Sequence, residues 1–374
     1  MRTPRRELAR GVGLLLAMLA GLMLARWALA GGLSRPLAPA TPAPLQAAGA
    51  APAGGISELR GRPLYLGGRQ PLVADAGGGP LRPLPVMVAG RTSVLRHGRY
   101  LVVRVAEPLQ EGPVLALATE RPGVATPLGS ALDVLPSPRS DRVWLLGRRA
   151  RSPQRTFTPQ EVALATGRPL ASATLPNDAE PVAMVDGGVL VRDLRAGLAV
   201  RDLASGRERQ RLGTDLTFVD ATARLVAYVD DGDGLHLRDL ATRRDRVVRP
   251  TGIPSWFPLG QPVAGAGCCD EFGAFSADGR RLAVYVQLRR PAQPGLAMVD
   301  VGQAEARPVP GSDAATPFGC RPCLGWSADG WLFFFSGGPP PDVVAAWRPG
   351  RPAASPLDLP LDGANATVRG GLAA

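Results

Sequence analysis

Gly197-Leu-Ala-Val-Arg-Asp-Leu-Ala-Ser-Gly-Arg-Glu-Arg-Gln-Arg-Leu212 is followed, 37 residues later, by Gly234-Leu-His-Leu-Arg-Asp-Leu-Ala-Thr-Arg-Arg-Asp-Arg-Val-Val248. Each copy is a short apolar strand, a polar turn and a second strand. A third copy, GLAMVDVGQAEARPVP, begins at Gly295. Looser copies start at Pro71, Pro113, Glu161 and Val343, which makes seven hairpins. The spacings run from roughly 37 to 61 residues, and self-similarity on that scale decides the architecture before any local feature does.

A second element precedes most of these hairpins: an apolar strand, a tight turn and another apolar strand. Its best copies are Phe275-Ser-Ala-Asp-Gly-Arg-Arg-Leu-Ala-Val-Tyr285 and, 51 residues on, Trp326-Ser-Ala-Asp-Gly-Trp-Leu-Phe-Phe334. Weaker ones run from Leu135 to Leu145 and from Phe218 to Tyr228. Ser and Asp side chains bond local backbone, and Gly accepts positive φ where such a turn closes. Two hairpins per unit give four strands, repeated seven times, with no helical periodicity after residue 33. That pattern predicts an all-β fold, a β-propeller of seven blades, with six as the alternative because the first unit is poorly formed. One blade cannot bury both faces alone, and a closed ring leaves none exposed.

The turns Ser276-Ala277-Asp278-Gly279 and Ser327-Ala328-Asp329-Gly330 resemble the aromatic-Ser-Pro-Asp-Gly turn of TolB-type propeller repeats, with Ala in place of Pro. Arg201-Asp202 and Arg238-Asp239 fall where WD40 repeats place Trp-Asp. The resemblance extends over about 310 residues and implies fold rather than function. The first unit offers strands only near Pro63–Gly67, Leu72–Asp75 and Leu81–Pro85, one too few, and the tail contains a lone candidate strand, Asn365-Ala-Thr-Val-Arg369. The tail is therefore expected to complete blade 1.

The first 32 residues read as an export signal or signal-anchor. Arg2, Arg5, Arg6 and Arg10 precede an uncharged apolar run, Gly11 to Ala25, and Ala28-Leu29-Ala30 offers a cleavage site. The basic end stays cytoplasmic and the rest faces outward. Residues 33–55 hold five Pro, many Ala and one charge, Arg35. Such a segment forms an extended linker reaching up to ~70 Å at ~3.1 Å per residue. A spacer is of use when one end is tethered, so a single-pass membrane anchor is favoured over cleavage near Ala30. The expected organisation is signal or anchor 1–32, linker 33–55 and propeller 56–374. The Arg5-Arg6 pair lacks the apolar pair that follows in twin-arginine signals.

The chain has 374 residues and a net charge of +11, and every one of its 43 basic side chains is Arg. Ile occurs only at positions 56 and 253 and Asn only at 177 and 365. This composition reflects GC-rich codons, so the charge argues little for a polyanionic partner. Acidic residues interrupt two of the three Arg clusters and aromatic residues make up 5% of the chain, which speaks against nucleic acid.

All four cysteines fall in two adjacent units, Cys268-Cys269 and Cys320-Arg-Pro-Cys323, with Cys269 and Cys320 each seven residues before the Ser of its turn. Structural disulfides are the favoured reading, with at least one bridge between the two units. Closing a loop of about 50 residues would stabilise the fold by roughly 4 kcal/mol. A four-thiolate metal site and a redox-active Cys320/Cys323 pair are the alternatives. Adjacent Cys268-Cys269 suits a tetrahedral centre poorly, and the second pair leads into a strand rather than a helix.

Asp230-Asp231-Gly232-Asp233-Gly234 lacks the spacing of a calcium loop and is read as a hairpin turn. His97 lies in a polar turn, and His236 replaces Ala199 and Ala297 of its sibling units, which is read as drift on a strand face. Gly325-Trp-Ser327-Ala-Asp329 misses the nucleophile-elbow pattern. No phosphate loop, dinucleotide fingerprint or zinc-protease motif is present. No catalytic, cofactor or metal residue is therefore assigned, and no cofactor is expected. The expectation is an exported, membrane-tethered, monomeric propeller acting as a binding or scaffold module for an envelope protein, peptide or glycan. The alternative is a hydrolase-, lactonase- or lyase-like enzyme with its site at the central channel. A channel mouth gathering carboxylates around His97 or His236 would favour the enzyme.

Overall fold

In the computed structural model the repeats become the outer strand pairs of blades set around a channel. The structure describes residues 56–374 except 87–90, 106–109, 149–156, 174, 177–178, 194–196, 233, 257–271, 290–292, 314, 316–323, 337–342, 360 and 362–371. The signal or anchor, the linker and all four cysteines lie outside the described residues. The chain divides into units Met1–Ala53 and Gly54–Ala374, the second being the propeller. Among the described residues no helix is long and apolar enough to cross a membrane.

Seven antiparallel sheets follow one another along the chain. From the channel outward, blade 1 is Leu372–Ala373, Pro63–Leu66, Leu72–Asp75 and Arg82–Pro83. Blade 2 is Thr92–His97, Tyr100–Val105, Gly112–Ala118 and Arg121–Ala131, and blade 3 is Asp133–Pro136, Arg142–Arg148, Phe157–Ala163 and Pro169–Ser172. Blade 4 is Ala179–Val185, Gly188–Asp193, Gly197–Arg201 and Glu208–Gly213, and blade 5 is Thr217–Ala221, Leu225–Val229, Leu235–Asp239 and Asp245–Val247. Blade 6 is Gly273–Phe275, Arg281–Arg289, Gln293–Asp300 and Glu305–Pro308, and blade 7 is Leu324–Trp326, Leu332–Ser336, Val343–Trp347 and Ser355–Pro356. Blade 6 gains two short strands. Ser255–Trp256 pairs with Arg281–Arg289, and Arg249–Pro250 lies parallel to Glu305–Pro308.

The tail completes blade 1, as the strand arithmetic requires, but through Leu372–Ala373 on Pro63–Leu66. The sequence placed the closing strand at Asn365–Arg369, which lies outside the described residues.

Burial on both faces explains why the inner strands read as unbroken apolar runs. Successive strand side chains point to opposite faces. Tyr100 and Val102 pack against Val143 and Leu145 of blade 3, while Leu101 and Val103 between them pack against Tyr65 of blade 1. The same alternation recurs at Val189 and Leu190, both fully buried, which face blades 3 and 5 respectively. Each of these apolar clusters thus spans a seam between blades, and another runs across two seams, joining blades 6, 7 and 1. Burying such side chains contributes about 1.5–3 kcal/mol each, and that drives closure of the ring.

The turns follow the chemistry expected of them. Ser276 Oγ–H donates to Asp278 Oδ1 at 2.6 Å, while the Arg281 N–H donates to Ser276 Oγ at 3.0 Å. Ser327 and Asp329 repeat this at 2.8 Å, with the Trp331 N–H on Ser327 Oγ at 2.9 Å. Gly279 and Gly330 take φ of +66° and +86°. On the outer hairpins, Asp202 Oδ1 accepts the Ser205 N–H and Asp239 Oδ1 accepts the Thr242 N–H, both at 2.8 Å.

Candidate functional site: the central channel

The innermost strands of all seven blades enclose a channel of about 1040 Å³. The turns joining first to second strands crowd one mouth, bringing His97, Ser137, Ala223, Asp278 and Ala328 from five blades to one opening. Antiparallel order dictates this, because every such turn leaves its blade at the same end. The wall is apolar at Leu95, Met184, Phe218, Phe275, Leu324 and Trp326, with Arg96, Arg224, Asp239 and Asp278 among the charged groups around it.

Side chains stitch this wall from blade to blade. The Phe275 N–H donates to Asp220 Oδ2 at 2.6 Å, tying blade 6 to blade 5. The Trp326 indole N–H donates to the Ala274 carbonyl at 2.8 Å, tying blade 7 to blade 6. At the mouth, His97 Nε2–H donates to the Arg139 carbonyl at 2.9 Å, joining blades 2 and 3. Burial lowers the His97 pKa below the ordinary 6.5, against opposing contributions from the Arg139 and Arg142 backbone and from Asp141. The Thr242 N–H holds the Asp239 carboxyl below its usual range, and Arg224 faces it at 3.4 Å. Asp278 is likewise lowered, first by the Ser276 hydroxyl and then by the Arg280 N–H. The mouth is thus a rigid, mixed surface whose carboxylates already hold turns in shape.

His236 lies elsewhere, on the third strand of blade 5. Its Nε2 faces Asp230 Oδ2 at 3.0 Å and its Nδ1 faces Asp245 Oδ1 at 3.2 Å. Tyr228 stacks on the imidazole, with ring centroids 5.1 Å apart and planes 5° from parallel, and its hydroxyl donates to Asp245. Burial, then the bond to Asp245, raises the Tyr228 pKa. Asp230 is lowered, first by the Gly234 N–H. The sequence reading of His236 as strand-face drift missed this cluster. Tyr228 comes opposite His236 in strand register, while Asp245 sits on the next strand beside Arg238. Asp230 opens the acidic stretch, which is a hairpin turn: its N–H donates to the Gly234 carbonyl at 3.1 Å.

Among the described residues no three His, Cys, Asp or Glu side chains gather to hold a metal ion. His97 is the only one of the two histidines that lines the channel, and its described bond is to a carbonyl rather than to a carboxylate.

A closed ring of seven four-stranded blades around a lined channel defines the class: a seven-bladed β-propeller. No protein-family model and no curated protein matches the sequence. In structure the chain is similar to a functionally unknown protein from Desulfotomaculum acetoxidans, 11% identical, with a TM-score of 0.50 over 83% of this chain and 98% of that one. It is also similar to TolB from Acinetobacter baumannii, 9% identical, TM-score 0.42, over 76% of this chain and 61% of TolB, so it spans about three fifths of that protein's length. A third similar structure is the β-propeller domain of Cps50 (Swd1) from Myceliophteria thermophila, 11% identical, TM-score 0.44, over 72% and 87% of the two chains. At these identities the likeness is one of fold.

Proposed function

We propose that this protein is an extracytoplasmic binding or scaffold module, tethered to the membrane by residues 1–32, that grips an envelope protein, peptide or glycan at the turn-lined mouth of its channel. One observation carries the reading: a preformed channel of about 1040 Å³, walled by apolar and charged side chains from all seven blades. Rigid concave sites of this kind are the ordinary setting for ligand recognition. The grouping an enzyme would draw on, His236 with two carboxylates and a tyrosine, is not part of the channel wall, and this favours binding over catalysis. The basic start, apolar run and Pro-rich linker support export and tethering. Cross-bridging between Cys268-Cys269 and Cys320/Cys323 belongs to the same reading, and mass mapping of non-reduced exported protein tests it.

Ala277 and Ala328 test the mouth, because both are exposed turn residues lining it. In cross-linking from intact envelopes, Ala277→Glu and Ala328→Arg should abolish the partner bands captured by the natural chain while leaving the melting curve in place. Capture of the same bands by these variants would refute the channel-mouth reading.

A further inference from the structure

We propose that the segment Ile56–Arg62, which precedes the first strand in the chain, is the clasp that holds the ring shut at the seam between blades 7 and 1. The inference concerns closure and does not depend on the binding reading.

The tail strand alone is a slight closure. Leu372–Ala373 makes two register pairs with blade 1, Tyr65 with Ala373 and Leu66 with Leu372. By contrast, Thr92–His97 makes six with its neighbour in blade 2. Blade 1 draws its strands from both ends of the propeller's chain, so its two innermost strands are held by backbone pairing rather than by a connecting turn.

The segment before Pro63 supplies what the tail lacks. Ser57–Leu59 forms a single 3₁₀ turn, with the Leu59 N–H on the Ile56 carbonyl at 2.8 Å and the Arg62 N–H on the Leu59 carbonyl at 3.1 Å. The turn drives Ile56 and Leu59 into the cluster formed by Trp331, Phe333 and Trp347 of blade 7 and by Leu64 and Leu66 of blade 1. Leu59 is 0% exposed. The polar face of the turn is fastened to blade 7, while the Gly61 N–H just after it donates to Asp75 Oδ2 of blade 1 at 2.7 Å. Arg351 donates to Glu58 Oε1 at 2.8 Å, and Arg348 lies 3.9 Å from Oε2. Both guanidinium groups sit over the Trp331 ring, 4.8 and 5.3 Å from its centre. Arg62 pairs with Asp329, and its Nε–H donates to the Glu58 carbonyl at 3.1 Å. One short segment is thus bonded to blade 7 while continuing as backbone into blade 1.

Magnitudes rank its parts. Glu58 is half exposed, so its ion pairs contribute little and loosen with salt. The buried Leu59 side chain does most of the holding. Because Leu324 and Trp326 of blade 7 and Ala373 of blade 1 line the channel, slack at this seam is slack in the channel wall.

Hydrogen exchange read by mass spectrometry on the full chain, together with thermal melting, tests the clasp. The comparison variant is Leu190→Ala, an equally buried leucine in blade 4. Leu59→Ala and Leu190→Ala should each lower Tm by about 5 °C or more. Only Leu59→Ala should speed exchange about tenfold in residues 63–75 and 324–336 while blades 3 and 4 stay protected. Even loss of protection around the ring, or loss at blade 4 as well, would overturn the clasp. If Leu59→Ala does not fold, the milder Leu59→Val carries the same readout: faster exchange confined to blades 1 and 7. No change at that seam would equally overturn it.

Discussion

Arg243 and Ala304 take left-handed backbone conformations, with φ of 59° and 51°. Each lies four residues after the aspartate that opens its outer hairpin, Asp239 or Asp300, where the sibling turn after Asp202 has Gly206 at φ 66°. A side chain in this region costs about 1 kcal/mol or more, and glycine removes that cost. Arg243 is exposed, so Arg243→Gly should stabilise by about 1 kcal/mol, read as a higher urea midpoint at unchanged slope. Ala304 is only 7% exposed and packs in the seam between blades 5 and 6. Losing its methyl costs about 0.8 kcal/mol, so Ala304→Gly should come out near neutral. A equal gain from both would show that strain, not burial, decides the second position.

His97 gives a residue-level pH prediction. Its folded pKa lies below the ordinary 6.5, chiefly through burial. The unfolded chain therefore takes up the proton first as pH falls. The imidazole's contribution is complete above about pH 6.5 and is lost on acidification through the lower folded value. His97→Gln retains a donor for the Arg139 carbonyl without a titrating ring. Tm of the natural chain should fall more steeply than that of the variant from pH 7 to pH 5. Parallel slopes would show that His97 is not the group responsible.

At the scale of elements, the stitches between inner strands set how firmly neighbouring blades hold. Asp220→Ala leaves the Phe275 N–H without its 2.6 Å acceptor, a loss of about 1–3 kcal/mol. Asp220→Asn retains an acceptor oxygen and should lose less, so the two variants should melt in that order. Which elements were legible follows from the same physics. Gly197–Arg201 and Glu208–Gly213 match the hairpin read from the sequence because alternation and turn residues both mark them. Ser255–Trp256 and Arg249–Pro250 were missed because a two-residue strand has no period and its pairing is decided by the backbone that happens to lie alongside. Arg121–Ala131 hides two prolines in an outermost strand, a position where a missing N–H is tolerated. Asn365–Arg369 drew the eye through its alternation, while Leu372–Ala373 is selected by ring closure, which no local window reports. The channel mouth was legible only as turns. The His236 cluster was not legible, because Tyr228, His236 and Asp245 come from three neighbouring strands rather than along one.

At the scale of the molecule, every seam shares its apolar side chains between two blades, so no blade can be lost without exposing two faces. The ring should therefore unfold as one unit, with tryptophan fluorescence and far-ultraviolet circular dichroism tracing the same urea transition. Deleting residues 362–374 probes the closing pairing within that unit. The deletion strips Leu372–Ala373 from Pro63–Leu66, leaves the inner edge of blade 1 unpaired and removes the buried Ala373 from the seam with blade 2. An open strand edge is also a site for chain-to-chain pairing. The expected result is a Tm several degrees lower, with concentration-dependent association that the full chain does not show. The clasp at Ile56–Arg62 remains in this variant, so the ring should still melt in a single transition. An unchanged Tm would mean that the two-residue pairing contributes nothing to closure. A split into two transitions would mean that blade 1 had detached and that the tail, rather than the clasp, holds the seam.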